Sequence, residues 1–483
     1  MRKTSTYLIL SLLATMGVCS CLCAQMNYVD NQTIYSTGEG VQVTDTVSLF
    51  TIKKIVIEGN RQTDEKVILR ELPFEEHQQY PLNELVDHFA KAKKQLMNSG
   101  LFMEAVISLR SLQGQDAFVT VAVKERWYIF PMPFAKVVDR SVQEWVKNQG
   151  MDMSRVNYGI KIKHKNFTGQ NDKLGLNITN GYTKEVSMRY EDLAIDKSLK
   201  WFLNAGFSFG KNKELVYATN NNQYVAYKNP DKFIYSYFNS ALEVSYRPAI
   251  KTKHTFGVRY YRENISDTLF KLSPYYSFRE NNIQYPEFFY RMRYFDVDFI
   301  PYPRKGYATE LEFQKKGLNS AFNLWQLTAK AMGSWPITEK AFFNLRATGV
   351  VKLPFKQPYS MQQFIGQSGM YLQGYEDYVI DGVAGAYTKA TVARQLLNTR
   401  IHLPTRIKRL EYIPLKVFGK IYGNAGYVYS RDDAHDNILN NKMLYSGGIG
   451  LDVILLYDFI LRVEWSANHL RQNGIYLHDR RYL

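Results

Sequence analysis

The chain has 483 residues, enough for a large barrel plus a small domain, and with 22% charged and 45% hydrophobic residues it is not a disordered polymer. Its net charge of +16 is spread along the chain, with no helical basic stripe or nucleic-acid motif, so a nucleic-acid partner is not expected. Aromatic residues reach 14%, including 36 Tyr and 28 Phe, a load that suits the two aromatic girdles of an outer-membrane barrel, although an aromatic-rich secreted β-sandwich shares it.

The first 24 residues read as a signal peptide. Met1-Arg2-Lys3 supplies the positive start, Tyr7–Val18 the apolar stretch, and Cys23-Ala24 before Gln25 the cleavage site, with Leu22 imperfect at the third position before the cut. Cys19, Cys21 and Cys23 are the only cysteines. Lipid attachment at Cys21 is the alternative to simple cleavage, and Cys19 is an awkward neighbour for it. Either way the segment beyond has no disulfide to lean on. No later window of roughly 18 apolar residues exists, so no transmembrane helix is expected. A barrel strand would escape that test, because only alternate positions are apolar.

Residues 25–47 are polar and read as a linker. Thr51–Glu58 (TIKKIVIE) is rich in β-branched residues and predicts a strand closed by Gly59-Asn60. Thr63 is placed to cap a helix over Asp64–Glu71, ended by Pro73. A second helix is expected from Leu82 to Asn98, stopped by Gly100, with Leu82, Leu85, Val86, Phe89 and Leu96 on one face. Met103–Leu109 and Ala117–Lys124 then form a strand pair across Gln113-Gly114-Gln115.

From Trp127 to Leu483 helical periodicity disappears. Alternation is clearest in Leu174–Thr179, Phe256–Tyr260, Phe343–Gly349 and Leu461–Asn468. In the last of these Leu461, Val463, Trp465 and Ala467 face one way, and Arg462, Glu464, Ser466 and Asn468 the other. A sandwich and a barrel both produce this pattern. Roughly 350 residues of it without a second domain favour one closed sheet, because backbone groups in lipid must pair internally. The expected architecture is mainly β: about 16 transmembrane strands over 127–483, after one small β-α-α-β-β domain over 48–126. Lys211–Asp231 and Glu263–Pro286 are expected to be extracellular loops.

The small domain resembles a polypeptide-transport-associated (POTRA) domain. The resemblance rests on Ile52, Ile55, Ile57, Gly59-Asn60 and Thr63, on Asn98–Phe102 (NSGLF), and on Val121, Val123 and Glu125. Such domains bind client chains by strand addition at an open sheet edge. With the barrel, the order of parts resembles the BamA/TamA outer-membrane assembly superfamily. Asn166-Phe167-Thr168-Gly169 looks like its NxxG turn, and Tyr302–Gly306 like its P-x-x-G turn. Leu372-Gln373-Gly374-Tyr375 falls where a sixth extracellular loop, about 356–384, carries V-R-G-F/Y. Tyr422–Gly426 falls where a late strand carries F-x-D-x-G.

The resemblance implies that Gly366–Gly382 folds into the lumen, where the family pairs the loop arginine with the strand aspartate. Here Gln373 and Asn424 replace both. Losing one charge would strand the other at a cost of a few kcal/mol. Losing both leaves room for an amide–amide bond of roughly 1 kcal/mol. The expectation is therefore a neutral latch from Gln373 to Asn424, with Gly426 on the same strand. By alternation Asn424 shares a lumen face with Lys420 and Tyr422. The C-terminal assembly signal is expected near Tyr476, with a basic tail beyond it.

Gly366-Gln367-Ser368-Gly369 lacks the spacing of a nucleophile elbow. The eight histidines show no H-x-x-x-H, and His402, His435 and His469 read as exposed or lumen-lining, so neither enzyme nor metal or cofactor site is expected. Besides a surface-exposed barrel with only a structural or adhesive role, two functions remain. One is assisted insertion of outer-membrane proteins, templated at a weak seam between the first and last strands. The other is a secretion pore for a dedicated partner, which a single POTRA-like domain also fits. Partners implied are unfolded outer-membrane or exported clients, outer-membrane lipids and accessory assembly lipoproteins.

Overall fold

A computed structural model describes residues 48–138, 145–146, 150–273, 276, 280–318, 322–366, 369–402, 412–431, 437–455 and 458–478. The signal-peptide and linker readings over 1–47, His435, Gln367-Ser368 and the tail beyond His478 lie outside the described residues.

The small domain runs β1 (Leu49–Glu58), α1 (Glu65–Arg70), β2 (Gln79–Pro81), α2 (Leu82–Asn98), β3 (Phe102–Gln113) and β4 (Asp116–Glu125). Its sheet order is β2-β1-β4-β3, with β1 parallel to β4. The core joins Ile52, Val67, Ile68, Leu85, Phe89, Leu96, Phe102, Val119 and Val121. Two local expectations are corrected. Asp64, not Thr63, caps α1, its carboxylate accepting from the Lys66 N–H. The Thr63 hydroxyl is taken by the Tyr128 hydroxyl and the Asn166 amide. Val86 is 37% exposed, and Ala92 takes its place on the buried stripe, because the helix packs along the 85–89–92–96 row.

The remaining strands are β5 (Ile129–Val137), β6 (Val156–Lys165), β7 (Lys173–Gly181), β8 (Thr183–Ala194), β9 (Trp201–Asn212), β10 (Glu214–Asn220), β11 (Gln223–Lys228), β12 (Tyr235–Ala249), β13 (Thr252–Ile265), β14 (Asn282–Val297), β15 (Gly306–Lys316), β16 (Leu324–Pro336), β17 (Ala341–Leu353), β18 (Ala384–His402), β19 (Tyr412–Tyr429), β20 (Met443–Ile454), β21 (Ile460–Asn468) and β22 (Asn473–His478). All but the β10–β11 hairpin form one antiparallel 16-stranded sheet in chain order. Among the described residues no ladder joins β22 to β5, so both are edges.

The sheet is inside out. On β12 Leu242 is 57% exposed while Glu243 is 2% exposed, and on β21 Val463 and Trp465 face out while Arg462, Glu464, Ser466 and Asn468 are buried. An apolar outer face around a polar interior is what a bilayer selects. Outward aromatics gather toward both rims, Tyr307, Trp335 and Phe343 at one and Phe313 tilted against Trp325 at the other.

The small domain is seated on the turns of one rim. Arg247 forks onto the Glu71 carboxylate at 2.6 and 2.9 Å. Arg126 reaches Asp458, Lys94 reaches Asp296, and the Asn98 side-chain oxygen accepts from the Ile300 N–H. The Asn166–Gly169 turn packs so closely that the Asp64 N–H donates to the Gly169 carbonyl. A Cβ at Gly169 would sit 2.4 Å from the Gln62 carbonyl, and φ there is +90°, so only glycine fits. The opposite rim carries the longer connections: Lys211–Asp231 contains the β10–β11 hairpin, and Glu263–Pro286 begins on β13 and ends on β14.

Candidate functional site

The loop between β17 and β18 turns into the barrel and buries its apolar residues against the wall. Phe364, Ile365, Leu372, Tyr375 and Ile380 form a cluster with Tyr387, Val428, Leu439 and Leu444. Leu372 lies over the space above Gly426, where an added Cβ would come 3.4 Å from its Cδ2. Gly374 takes φ +87°, and a Cβ there would meet the Ser446 Cβ at 2.9 Å. The left-handed turn and the close approach both require glycine.

The polar contacts are dense. The Tyr375 hydroxyl donates to the Tyr445 carbonyl at 2.9 Å, receives the Tyr445 N–H at 3.0 Å, and pairs with the His469 ring. The Asn468 amide donates to the Gly374 carbonyl at 2.8 Å. Tyr378 donates to Gln472 at 2.6 Å. From the far rim the β10–β11 hairpin pins the same loop: the Asn222 amide donates to the Val379 carbonyl at 3.0 Å, and the Val379 N–H returns a bond to the Asn222 carbonyl. His469 is thus a loop partner rather than a plain lining residue.

Leu372, Gln373, Gly374 and Tyr375 all face the wall formed by β19–β21, and Asn424 does face the lumen beside Lys420 and Tyr422. The direct Gln373–Asn424 bond is not formed. The Gln373 amide donates instead to Glu464 at 2.7 Å, while the Asn424 amide donates to the Ser446 hydroxyl at 3.1 Å. Ser446 in turn donates to the Gln373 carbonyl, so the two residues meet through a serine. The physical reason is acceptor strength: an amide gains more from a buried carboxylate than from another amide.

Glu464 belongs to a buried ionic chain that sequence reasoning did not assemble. Lys420 lies 2.6 Å from Glu464 and also holds Asp452, Arg462 approaches Asp452 at 3.7 Å, and the Tyr302 hydroxyl donates to Asp452 at 2.9 Å. Tyr302 comes from the P-x-x-G-like turn on the small-domain side. The path Tyr302–Asp452–Lys420–Glu464–Gln373 therefore links one rim to the loop that enters from the other. Alternation on β19–β21 marks these residues as inward. Only the register of three neighbouring strands puts them together.

An apolar-outside barrel, a small α+β domain across one mouth and a loop latched in the lumen define an outer-membrane β-barrel protein. The chain belongs to the Omp85 superfamily: the Omp85 superfamily domain matches residues 166–455, more than half of the chain. Residues 50–126 match the POTRA family described as surface antigen variable number repeat. Over 77 residues the chain is 34% identical to the outer membrane protein assembly factor BamA of Neorickettsia risticii (strain Illinois), a match spanning 16% of this chain and 10% of that protein. Among solved structures it resembles BamA from Haemophilus ducreyi lacking POTRA domains 1–3, with TM-score 0.50, 14% identity, and coverage of 89% of this chain and 83% of that one. It also resembles CdiB from Acinetobacter baumannii, with TM-score 0.48, 13% identity, and coverage of 89% and 74%.

Proposed function

We propose that this protein assists insertion and assembly of outer-membrane β-barrel proteins, with its POTRA domain in the periplasm and the latched loop entering from the cell surface. The observation that carries this reading is the open sheet, whose first and last strands face the bilayer with no mutual ladder among the described residues. An unpaired edge in lipid is costly, and an incoming strand relieves it. The edge strand β3 offers a second pairing site where unfolded clients are received before they reach the seam. Gln373, Gly374 and Tyr375 hold the loop inside the lumen against β20 and β21, which favours a side exit at the seam over export of a dedicated partner through the pore. Outer-membrane lipids cover the apolar wall, and accessory lipoproteins would dock on the periplasmic domain.

The test is depletion followed by outer-membrane proteomics. A broad fall in β-barrel proteins is expected. Loss of one exported protein, with all barrels at normal levels, would replace assembly with dedicated secretion.

A further inference from the structure

The two edges of the seam are not equivalent. The Val138 N–H bonds the Arg155 carbonyl and the Lys165 N–H bonds the Tyr128 carbonyl, which fixes the phase of the β5–β6 ladder. Even-numbered residues of β5 point their backbone groups at β6, and Ile129, Pro131, Pro133, Ala135 and Val137 point theirs at the open edge. Proline carries no N–H. The middle of the β5 edge therefore presents carbonyls but no donors at two successive outward positions. Prolines on an edge strand are a known means of blunting it.

The β22 edge is intact. The Asn468 N–H bonds the Gln472 carbonyl, so residues in phase with 472 face β21, while Asn473, Ile475 and Leu477 turn both N–H and C=O to the seam. Ile475 and Leu477 are 76% and 68% exposed on the lipid side. Gly474, Tyr476 and His478 face the other way. A strand docking here needs donors and acceptors on alternate residues and apolar side chains toward lipid, which describes a transmembrane β-strand.

We infer that client strands entering the seam pair with the β22 edge, at Asn473, Ile475 and Leu477, and that Pro131 and Pro133 keep β5 from serving as the pairing edge. This rests on the assembly function proposed above. It assigns the templating role to the last strand, not the first.

The only native cysteines are Cys19, Cys21 and Cys23, so single cysteines can be scanned in the barrel. The probe is a small outer-membrane barrel stalled by truncation, with a cysteine in its terminal strand, co-produced with the full chain carrying I475C or L477C on one edge, or I129C or A135C on the other. Disulfide yield at 475 and 477 is expected to exceed that at 129 and 135 by roughly tenfold, the worth of one to two ladder bonds. In P131V/P133V the β5 yields should rise toward those of β22. Stronger cross-linking on β5 with both prolines present would overturn the assignment and leave seam assembly standing. No cross-link on either edge would overturn both. The cysteine scan leaves the prolines in place, so the inference stays testable if the double variant does not fold.

Discussion

On β19–β21 the inward residues Lys420, Asp452, Arg462 and Glu464 are buried and interlocked. On β6 the inward Lys161 and Lys163 stand exposed beside an open cleft of about 470 Å³ lined also by Asn177 and Arg189. Both walls alternate apolar with polar, and both carry lysines on the inner face. The difference lies in what covers them. The loop Leu372–Tyr375 meets the late wall at Glu464, where buried charges need partners; on the early wall Lys161 and Lys163 stay solvated, while Arg189 and Arg259 pair with the buried Glu243. The lumen thus has a locked side and an open side, and β5, the blunted edge, belongs to the open one.

The hardest way to break that contrast is to remove a partner from the locked side. E464A leaves Lys420 with one fewer counter-ion and the Gln373 amide without its acceptor, and should cost about 3–5 kcal/mol of barrel stability. K161A should change it by less than about 0.5 kcal/mol. Thermal unfolding followed by heat-modified gel mobility measures both. Equal losses would erase the distinction between the walls.

The seat of the POTRA domain comes next. Burial alone would raise the Glu71 carboxyl, but Arg247 and Arg70 more than reverse that and hold it below the usual carboxylate range. A depressed carboxyl stabilises above its unfolded pKa and loses that contribution as pH falls through its folded value. Docking should therefore hold from neutral pH through about 4.3 and weaken only below it. E71Q should cost about 2 kcal/mol and remove this acid step. Protease sensitivity of the β4–β5 junction across pH reads it out.

A smaller effect is expected from G374A. A Cβ in a left-handed turn pressed on Ser446 should cost about 1–2 kcal/mol and loosen the loop, seen as faster labelling of a cysteine at Tyr378. The smallest concerns the latch itself. In double-mutant cycles Gln373 should couple to Glu464 by about 1 kcal/mol or more, and to Asn424 by only a few tenths through Ser446. The reverse ranking would restore the amide–amide latch.

Much of this was written in the chain. Alternation over Leu461–Asn468 assigned every residue to its correct face, because a strand period of two leaves no other arrangement once one side is greasy. The β-branched run at Thr51–Glu58 and the stripe along Leu82–Asn98 placed the small domain, and glycine at 169 and 374 marked turns that no other residue could make. Loop and strand motifs singled out Gln373 and Asn424, which meet only through Ser446.

What the tertiary structure decided was who meets whom. Gln373 finds Glu464 and not Asn424, and Tyr302 finds Asp452, because register sets which inward residues of β19, β20 and β21 share a level. Thr63 loses its cap role because a turn 103 residues away claims its hydroxyl. Pro131 and Pro133 are visible in the sequence. That they blunt the seam, and not an interior ladder, follows only from the phase of the β5–β6 hydrogen bonds and from the absence of a strand on the other side among the described residues. Local sequence fixes which face a side chain takes. Pairing phase and the loop folded into the lumen decide whether that face is wet, locked or open to a partner.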